Sequence, residues 1–309
     1  MTRIARQRRP QAPPRRVVNG VLLLDKPPGI TSHTAVQAVR RLYHAAKAGH
    51  TGTLDPLATG LLPVCLGEAT KFSHALLDAD KAYTATIRLG MTTNTGDLEG
   101  EVTGRHEVNV TRQDVELTLP KFVGEILQIP PMYSAIKHAG QPLYKLARAG
   151  KEIPRAPRKI VISRLALVGF AGDELTVSVS CSKGTYVRVL AEDLGRELGC
   201  GACLSALRRD AVGGFSLSPG AVTLERLESL TLAERDALLL PADALVASLP
   251  RLDLDAAETR RMNQGQPVER PDPSSEGLAR IYGPDREFLG VVEIIRPGRI
   301  VPKRLTARG

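Results

Sequence analysis

The sequence predicts an α+β protein: one large domain of strands and helices, with a small, mostly β module behind it. Three observations carry that expectation. Near the start, VVNGVLLLDKPPG reads as a strand running into a Pro-Pro-Gly turn, and SHTAVQAVRRLYH follows as a helix. Further on, KIVISRLALVGF and ELTVSVSCS form a strand pair across the turn AGD. The last sixty or so residues hold one helix and then short strands separated by the turns YGPDREF and RPGR. At 309 residues and 42% hydrophobic, the chain has material for a sizeable core.

In order along the chain, the first helix places apolar residues 35, 36, 39, 42 and 43 on one face, with Ser32 as its expected N-cap. LLPVCLG is a short apolar run suited to a buried strand, and EATKFSHALLDA a helix. KAYTATIRLG alternates Tyr83, Ala85, Ile87 and Leu89 against Thr84, Thr86 and Arg88, as a half-buried strand does. Asp55 then lies in a loop between a helix and a buried strand. Thr111 opens a capped helix through about Lys121. The stretch PPMYSAIKHAGQPLYKLARAGKEIPRAPRK mixes Pro, Gly and basic residues and reads as an inserted, mobile excursion. TYVRVLAEDLGREL is a helix opening directly after SKG, shorter elements reach about Leu249, and ASLPRLDL marks a domain boundary. No internal repeat is evident. The expected divisions are an arm at 1–16, a large domain at 17–250 with its excursion at about 131–159, and a module at 251–309.

Lys and Arg outnumber Asp and Glu by 42 to 33, a formal +9 that favours a polyanionic partner such as nucleic acid. Six of these excess charges, Arg3, Arg6, Arg8, Arg9, Arg15 and Arg16, crowd the opening segment, so the rest is only mildly basic. That segment lacks the apolar core of a secretory signal, and its prolines spoil a transit-peptide helix, so it reads as a disordered arm. No run approaches the roughly 18 apolar residues of a membrane span. Four scattered cysteines, Cys65, Cys181, Cys200 and Cys203, suit a reducing cytoplasm better than a disulfide scaffold.

Several constellations invite chemistry and lack its remaining parts. CGAC at 200–203 has no second ligand pair for zinc, and the six histidines include no HExxH pair. Tyr133 and Lys137 have the Y-x-x-x-K spacing of a dehydrogenase, but KPPG after the first strand is not a dinucleotide loop; packing and phosphate contact suit them better. GHTGTLD lacks the G-K-[ST] end of a phosphate loop. Asp55 remains. Asp-Pro is a common turn, yet His50, Thr51, Thr53 and Thr59 surround this acid with polar groups, while Gly49, Gly52 and Gly60 permit close approach to the backbone. A carboxylate so placed can face a cleft.

At this stretch the chain resembles a known family. GHTGTLDPLATG followed by LPVCLGEATKF is similar to the bacterial tRNA pseudouridine-55 synthases of the TruB type. DKPPGITSH, KAYTATIRLG, PPMYSAIKHAGQPLYKLARAG, KGTYVRVLAEDLG and LRRDAVGGF look like the family's segments in the family's order, dense over 20–215 and looser beyond. The resemblance implies a mixed, largely antiparallel sheet with flanking helices, an RNA-closing insertion and a PUA-like pseudo-barrel. It implies that uridine in the T-loop of tRNA is isomerised to pseudouridine, with no metal, nucleotide or other organic cofactor. The partner implied is tRNA, met at the T-arm and, through the C-terminal module, near the acceptor end, by a monomer that needs no membrane.

By motif position the resemblance makes Asp55 the catalytic group. An ionised carboxylate can trap the sugar carbon covalently, or take the C2′ proton to give a glycal. To stay ionised under RNA it needs a cation within about 4–6 Å, and the family points to Arg188 in KGTYVR. Tyr83 corresponds to the tyrosine that stacks on the base and is a candidate for handling the C5 proton. Tyr186 and Leu207 match positions lining the uracil pocket, and His50 the wedge that fills the gap left by a flipped base. Lys26 and Pro27 in DKPPG match a second motif, counted among the substrate-site residues and read as support beneath the catalytic loop. Lys137 and Lys145 belong to the basic excursion, whose charge suits phosphates. The arm at 1–16 matches no part of the family core, and Cys203 has no assigned role.

Overall fold

The computed structural model describes residues 15–270, 276–296 and 298–307. Most of the expected arm, residues 1–14, lies outside them. Its last residue is docked: Arg16 pairs with Asp236, and its Nε donates to the Tyr43 carbonyl at 2.9 Å.

Strand β1 (Gly20–Lys26) is a continuous apolar run because both its faces are covered. Leu22 and Leu24 enter one apolar cluster, and Val21 and Leu23 enter a second on the opposite side. Helix α1 (Ser32–Leu42) is capped by Thr31, whose side chain accepts from the Thr34 amide, and not by Ser32 as expected. The Ser32 hydroxyl is buried and recruited elsewhere, bonding both the amide and the carbonyl of Leu54 at 2.8 and 2.9 Å. A short strand, β2 (Ala48–His50), pairs with β3 (Thr59–Leu66), so the Asp55 loop joins two strands where the sequence suggested a helix and a strand.

The helix expected over 68–79 is two 3-10 turns, Gly67–Lys71 and Ser73–Leu76. Ala69, Phe72 and Leu76 all reach the second cluster, with Phe72 at the junction of the two turns. Strand β4 (Lys81–Leu89) follows as expected, and then a hairpin, β5 (Met91–Thr93) and β6 (Val102–Arg105), carries the loop 94–101. Helix α2 (Arg112–Thr118) opens on a Thr111–Asp114 capping box and gives way at Pro120 to a 3-10 turn, short of the single helix expected.

Beyond β7 (Gly124–Gln128), the excursion holds a two-residue hairpin, β8 (Lys137–His138) and β9 (Gln141–Pro142), and helix α3 (Leu143–Arg148). The expected strand pair is β10 (Arg158–Ala171) and β11 (Glu174–Cys181), followed by α4 (Val187–Glu197) and β12 (Ala202–Val212). Strand β13 (Phe215–Ser216) and helices α5 (Leu224–Ser229) and α6 (Leu232–Ala237) complete the large domain.

The main sheet is mixed and largely antiparallel, as the resemblance implies, in the order β1-β3-β12-β4-β11-β10-β7. Its parallel pair sets Arg208 against Thr59 and Arg209 against Gly60. Gly60 has φ +97°, and a Cβ there would lie 2.4 Å from the Arg209 carbonyl oxygen, so only glycine fits. That approach brings β12 against the end of the Asp55 loop. The C-terminal module consists of β14 (Arg251–Asp253), α7 (Ala256–Asn263), β15 (Val268–Glu269), β16 (Gly277–Tyr282), β17 (Phe288–Arg296) and β18 (Arg299–Leu305). Phe72 and Phe288 pack across the junction at 5.1 Å, and the Tyr282 hydroxyl donates to Asp243 at 2.6 Å.

Candidate active site

Three contacts hold the backbone around Asp55. Lys26 Nζ, fully buried, donates to the carbonyls of Pro27, Ile30 and Pro56 at 2.9, 2.8 and 3.3 Å. Arg209, also buried, donates through its guanidinium to the Leu61, Thr53 and Gly52 carbonyls at 2.8, 3.4 and 3.2 Å. Ser32 fastens Leu54. A Gly-rich loop that would otherwise sample many conformations is thereby set before any ligand arrives.

The Asp55 carboxylate is left 43% exposed, and Arg188 Nε lies 3.1 Å from it. The Arg188 guanidinium is buried and fully engaged: Nη1 donates to the Thr95 carbonyl and Nη2 to the Tyr133 carbonyl, each at 2.8 Å. A second carboxylate, buried Asp97, approaches Arg188 Nε at 3.5 Å. Asp97 also accepts from the Thr95 hydroxyl at 2.6 Å and the Glu99 amide at 3.1 Å. One guanidinium is thus shared between two carboxylates, Asp97 in the interior and Asp55 at the open end. Such a buried array contributes orientation more than stability, since desolvation offsets most of its Coulomb gain.

The open end is a cleft of about 250 Å³ lined by Asp55, Tyr83, Tyr133, Tyr186, Leu207 and Arg209, among others. The scale suits a single nucleoside better than an extended ligand. Tyr83 lies on β4 beside Arg209 of β12, and burial pushes its hydroxyl above the ordinary phenol range, so it stays protonated and neutral near neutral pH.

Of the residues expected from the sequence, Asp55, Arg188, Tyr83, Tyr186 and Leu207 all converge on this cleft. His50 is outside the lining: it sits on β2, its Nδ1 accepts from the Gly52 amide at 3.2 Å, and burial lowers its imidazole. Lys137 and Lys145 are exposed on the excursion, also outside the lining. Lys26 cannot meet a substrate. Its ammonium is wholly enclosed by carbonyls, and half-buried Pro27 supplies one of them, so this motif supports the loop and the substrate-site assignment of Lys26 is corrected. Two residues had no place in the sequence reading. Arg209 follows Leu207 at the strand period of two, a signal that was present once Leu207 was assigned to the pocket. Asp97, in a polar turn, carried none.

Lys26→Met is expected to cost about 2–3 kcal/mol, because the carbonyls it caps lose a buried donor. Burial pushes the Lys26 ammonium down to about 8 from 10.5. Between these values the unfolded chain holds a proton that the folded chain has released, so stability rises with pH across the window. Thermal melts of both proteins from pH 7 to 10.5 check this: the wild type should gain stability as pH rises, and the gain should be smaller in the variant.

Comparison with known proteins identifies the family. Residues 40–187 match the TruB family pseudouridylate synthase N-terminal domain, 188–247 the tRNA pseudouridylate synthase B C-terminal domain, and 250–306 the C-terminal part of pseudouridine synthase II TruB. The chain is 55% identical over 291 residues to the tRNA pseudouridine synthase B of Methylobacillus flagellatus, covering 94% of this chain and 96% of that one. It is 55% identical over 294 residues to the namesake protein of an Azoarcus species, covering 95% and 97%. Among solved structures it is similar to a chain of a Cbf5-Nop10-Gar1 complex, with TM-score 0.68, 27% identity, and coverage of 91% of this chain and 80% of that one. A chain of an H/ACA RNP bound to a substrate RNA containing 2′-deoxyuridine shares the fold, with TM-score 0.71, 23% identity, and coverage of 94% and 86%. With domain matches running almost end to end, and relatives above half identity over nearly their full length, the chain belongs to the TruB family of pseudouridine synthases.

Proposed function

We propose that this pseudouridine synthase acts on tRNA, at the T-loop uridine of position 55, with Asp55 as the group that works on the ribose. The shared number is a coincidence. The observation that carries the reading is a half-exposed carboxylate at the mouth of a nucleoside-sized cleft, with a buried guanidinium 3.1 Å behind it. Its relatives at 55% identity are named for the same activity on tRNA.

In the reaction the N1–C1′ bond breaks, the base turns, and a C5–C1′ bond forms while C5 loses a proton and N1 gains one. Nothing is oxidised or reduced. The Asp55 carboxylate either bonds C1′ or removes the C2′ proton, and in both roles Arg188 Nε, 3.1 Å away, orients it. Tyr83 stacks on the base and is the candidate for handling the C5 proton, Tyr186 and Leu207 close the apolar walls, and His50, at the edge of the loop, fills the space the flipped uridine leaves. Lys137 and Lys145 meet phosphates of the T-arm as the excursion closes, and the C-terminal module meets the acceptor end.

Incubating pure protein with an unmodified tRNA transcript and no added cofactor, then mapping pseudouridine, tests the reading. Product at position 55 alone supports it; product at another uridine overturns the site assignment, and no product overturns the activity. The arm is a separate element of the proposal. Deleting residues 1–14 removes Arg3, Arg6, Arg8 and Arg9 while keeping docked Arg16. The deletion is expected to weaken tRNA binding and flatten its salt dependence without slowing single-turnover chemistry. An unchanged salt slope would show that the arm does not meet RNA.

A further inference from the structure

Helix α4 starts without the device that usually starts a helix. Its N-cap is Tyr186, which offers no side-chain oxygen to the orphan amides of the first turn. Yet the functional side chain of the helix, Arg188, stands only two residues inside it. What holds this terminus comes from another strand. The Gln128 side-chain Oε1 accepts from the Tyr186 amide at 3.0 Å, and its Nε2 donates to the Tyr186 carbonyl at 3.1 Å. Both main-chain groups of one residue are thus met by one primary amide, as a neighbouring strand would meet them. Gln128 is the last residue of β7, the outermost strand of its side of the sheet, and is 2% exposed. The Tyr186 carbonyl also receives the first helical bond, from the Leu190 amide at 3.1 Å, so the glutamine and the helix share one acceptor.

We propose that Gln128 is a positioning residue for the reaction: through the Tyr186 peptide it sets the start of α4, and so holds the Arg188 guanidinium in register with Asp55. The geometry leaves little slack. Arg188 must satisfy the Thr95 and Tyr133 carbonyls at 2.8 Å while keeping Nε 3.1 Å from Asp55. Tyr133 belongs to the same segment as Gln128, five residues later and beyond the rigid pair Pro130-Pro131, so one strand end governs both the backbone that carries Arg188 and a carbonyl that orients it. Loss of the Gln128 bridge frees the first turn of α4, and a shift near 1 Å at a reacting geometry costs on the order of a hundredfold in rate.

The inference rests on Arg188 serving the reaction as proposed above. The test is single-turnover pseudouridine formation by Gln128→Met, which keeps side-chain length and packing but neither hydrogen bond, alongside tRNA affinity and thermal melting. The chemical step should slow at least about tenfold, with affinity within about threefold of wild type. Gln128→Leu also removes both hydrogen bonds and should slow the step comparably, and it serves if Gln128→Met does not fold. Coupling separates positioning from mere support: the Gln128→Met, Arg188→Lys double variant should be no slower than Arg188→Lys alone, whereas independent effects would multiply. Wild-type rates in the folded Gln128 variants, or multiplicative losses in the double variant, overturn the inference. Normal turnover by Arg188→Lys would instead overturn the role of Arg188 on which it stands.

Discussion

Asp55→Asn is expected to end pseudouridine formation while leaving tRNA affinity within a few-fold of wild type. The amide has the carboxylate's shape, so the loop held by Lys26, Ser32 and Arg209 has no cause to move. Arg188 keeps a charged partner in Asp97, 3.5 Å from Nε, and does not become an unpaired buried cation. What disappears is the anion itself. An amide can neither bond a sugar carbon reversibly nor accept the C2′ proton near neutral pH, so both routes close together. Affinity should hold because the contacts proposed to bind a polyanion lie elsewhere, on the basic excursion and the arm, and an Asp in the cleft repels phosphate if it acts on it at all. Single-turnover assays with mapped product, run beside a binding isotherm, check both halves. Residual turnover above background would remove Asp55 from the chemistry, and a collapse in affinity would make it a binding residue.

Arg188→Lys should lower the rate by about a hundredfold or more, although the charge is conserved. The guanidinium meets four partners from a planar fork: the two carboxylates at Nε and the Thr95 and Tyr133 carbonyls at Nη1 and Nη2. An ammonium is a point charge on a shorter reach. It can satisfy Asp97 in the interior or approach Asp55 at the cleft, but it cannot span both while also meeting two carbonyls on different loops. The orphaned carbonyls should also cost about 1–3 kcal/mol each, so the melting temperature should fall together with the rate. Near-normal kinetics would mean that the 3.1 Å pair does not persist when RNA is bound.

The parts of this site that were legible before any coordinates are those written in short-range pattern. Asp55 stood out because its neighbours combine flexible glycines with small polar side chains, and Tyr83 lay on a run whose alternation gave it a defined face, while Leu207 and Tyr186 came from the family resemblance alone. The cap of α1 was missed by one residue because Thr31 and Ser32 are chemically alike, and the choice between them was made by the distant Leu54 peptide, which took the serine hydroxyl. Similarly, EATKFSHALLDA has the composition of a helix. Its residues Ala69, Phe72 and Leu76 must reach the cluster containing Leu245 and Val291, from parts of the chain far downstream, while Leu77 is left exposed.

By itself the sequence determined the two kinds of strand. Runs apolar at every position, as in β1, are covered on both faces, and runs apolar at every second position, as in β4 and β11, on one, because side chains alternate across a pleated backbone whatever the rest of the chain does. It also determined the family, the loop bearing the acid, and the need for a cation from elsewhere. Only the tertiary structure decided which groups surround that acid. Asp97, Arg209, Gln128 and buried Lys26 acquire their roles from the order in which strands pair and from the one place where Gly60 lets β12 close on β3. Hydrogen bonds and ion pairs act over a few ångströms, so a residue's partners are chosen by which segments the fold brings together, and distance along the chain says little about that choice.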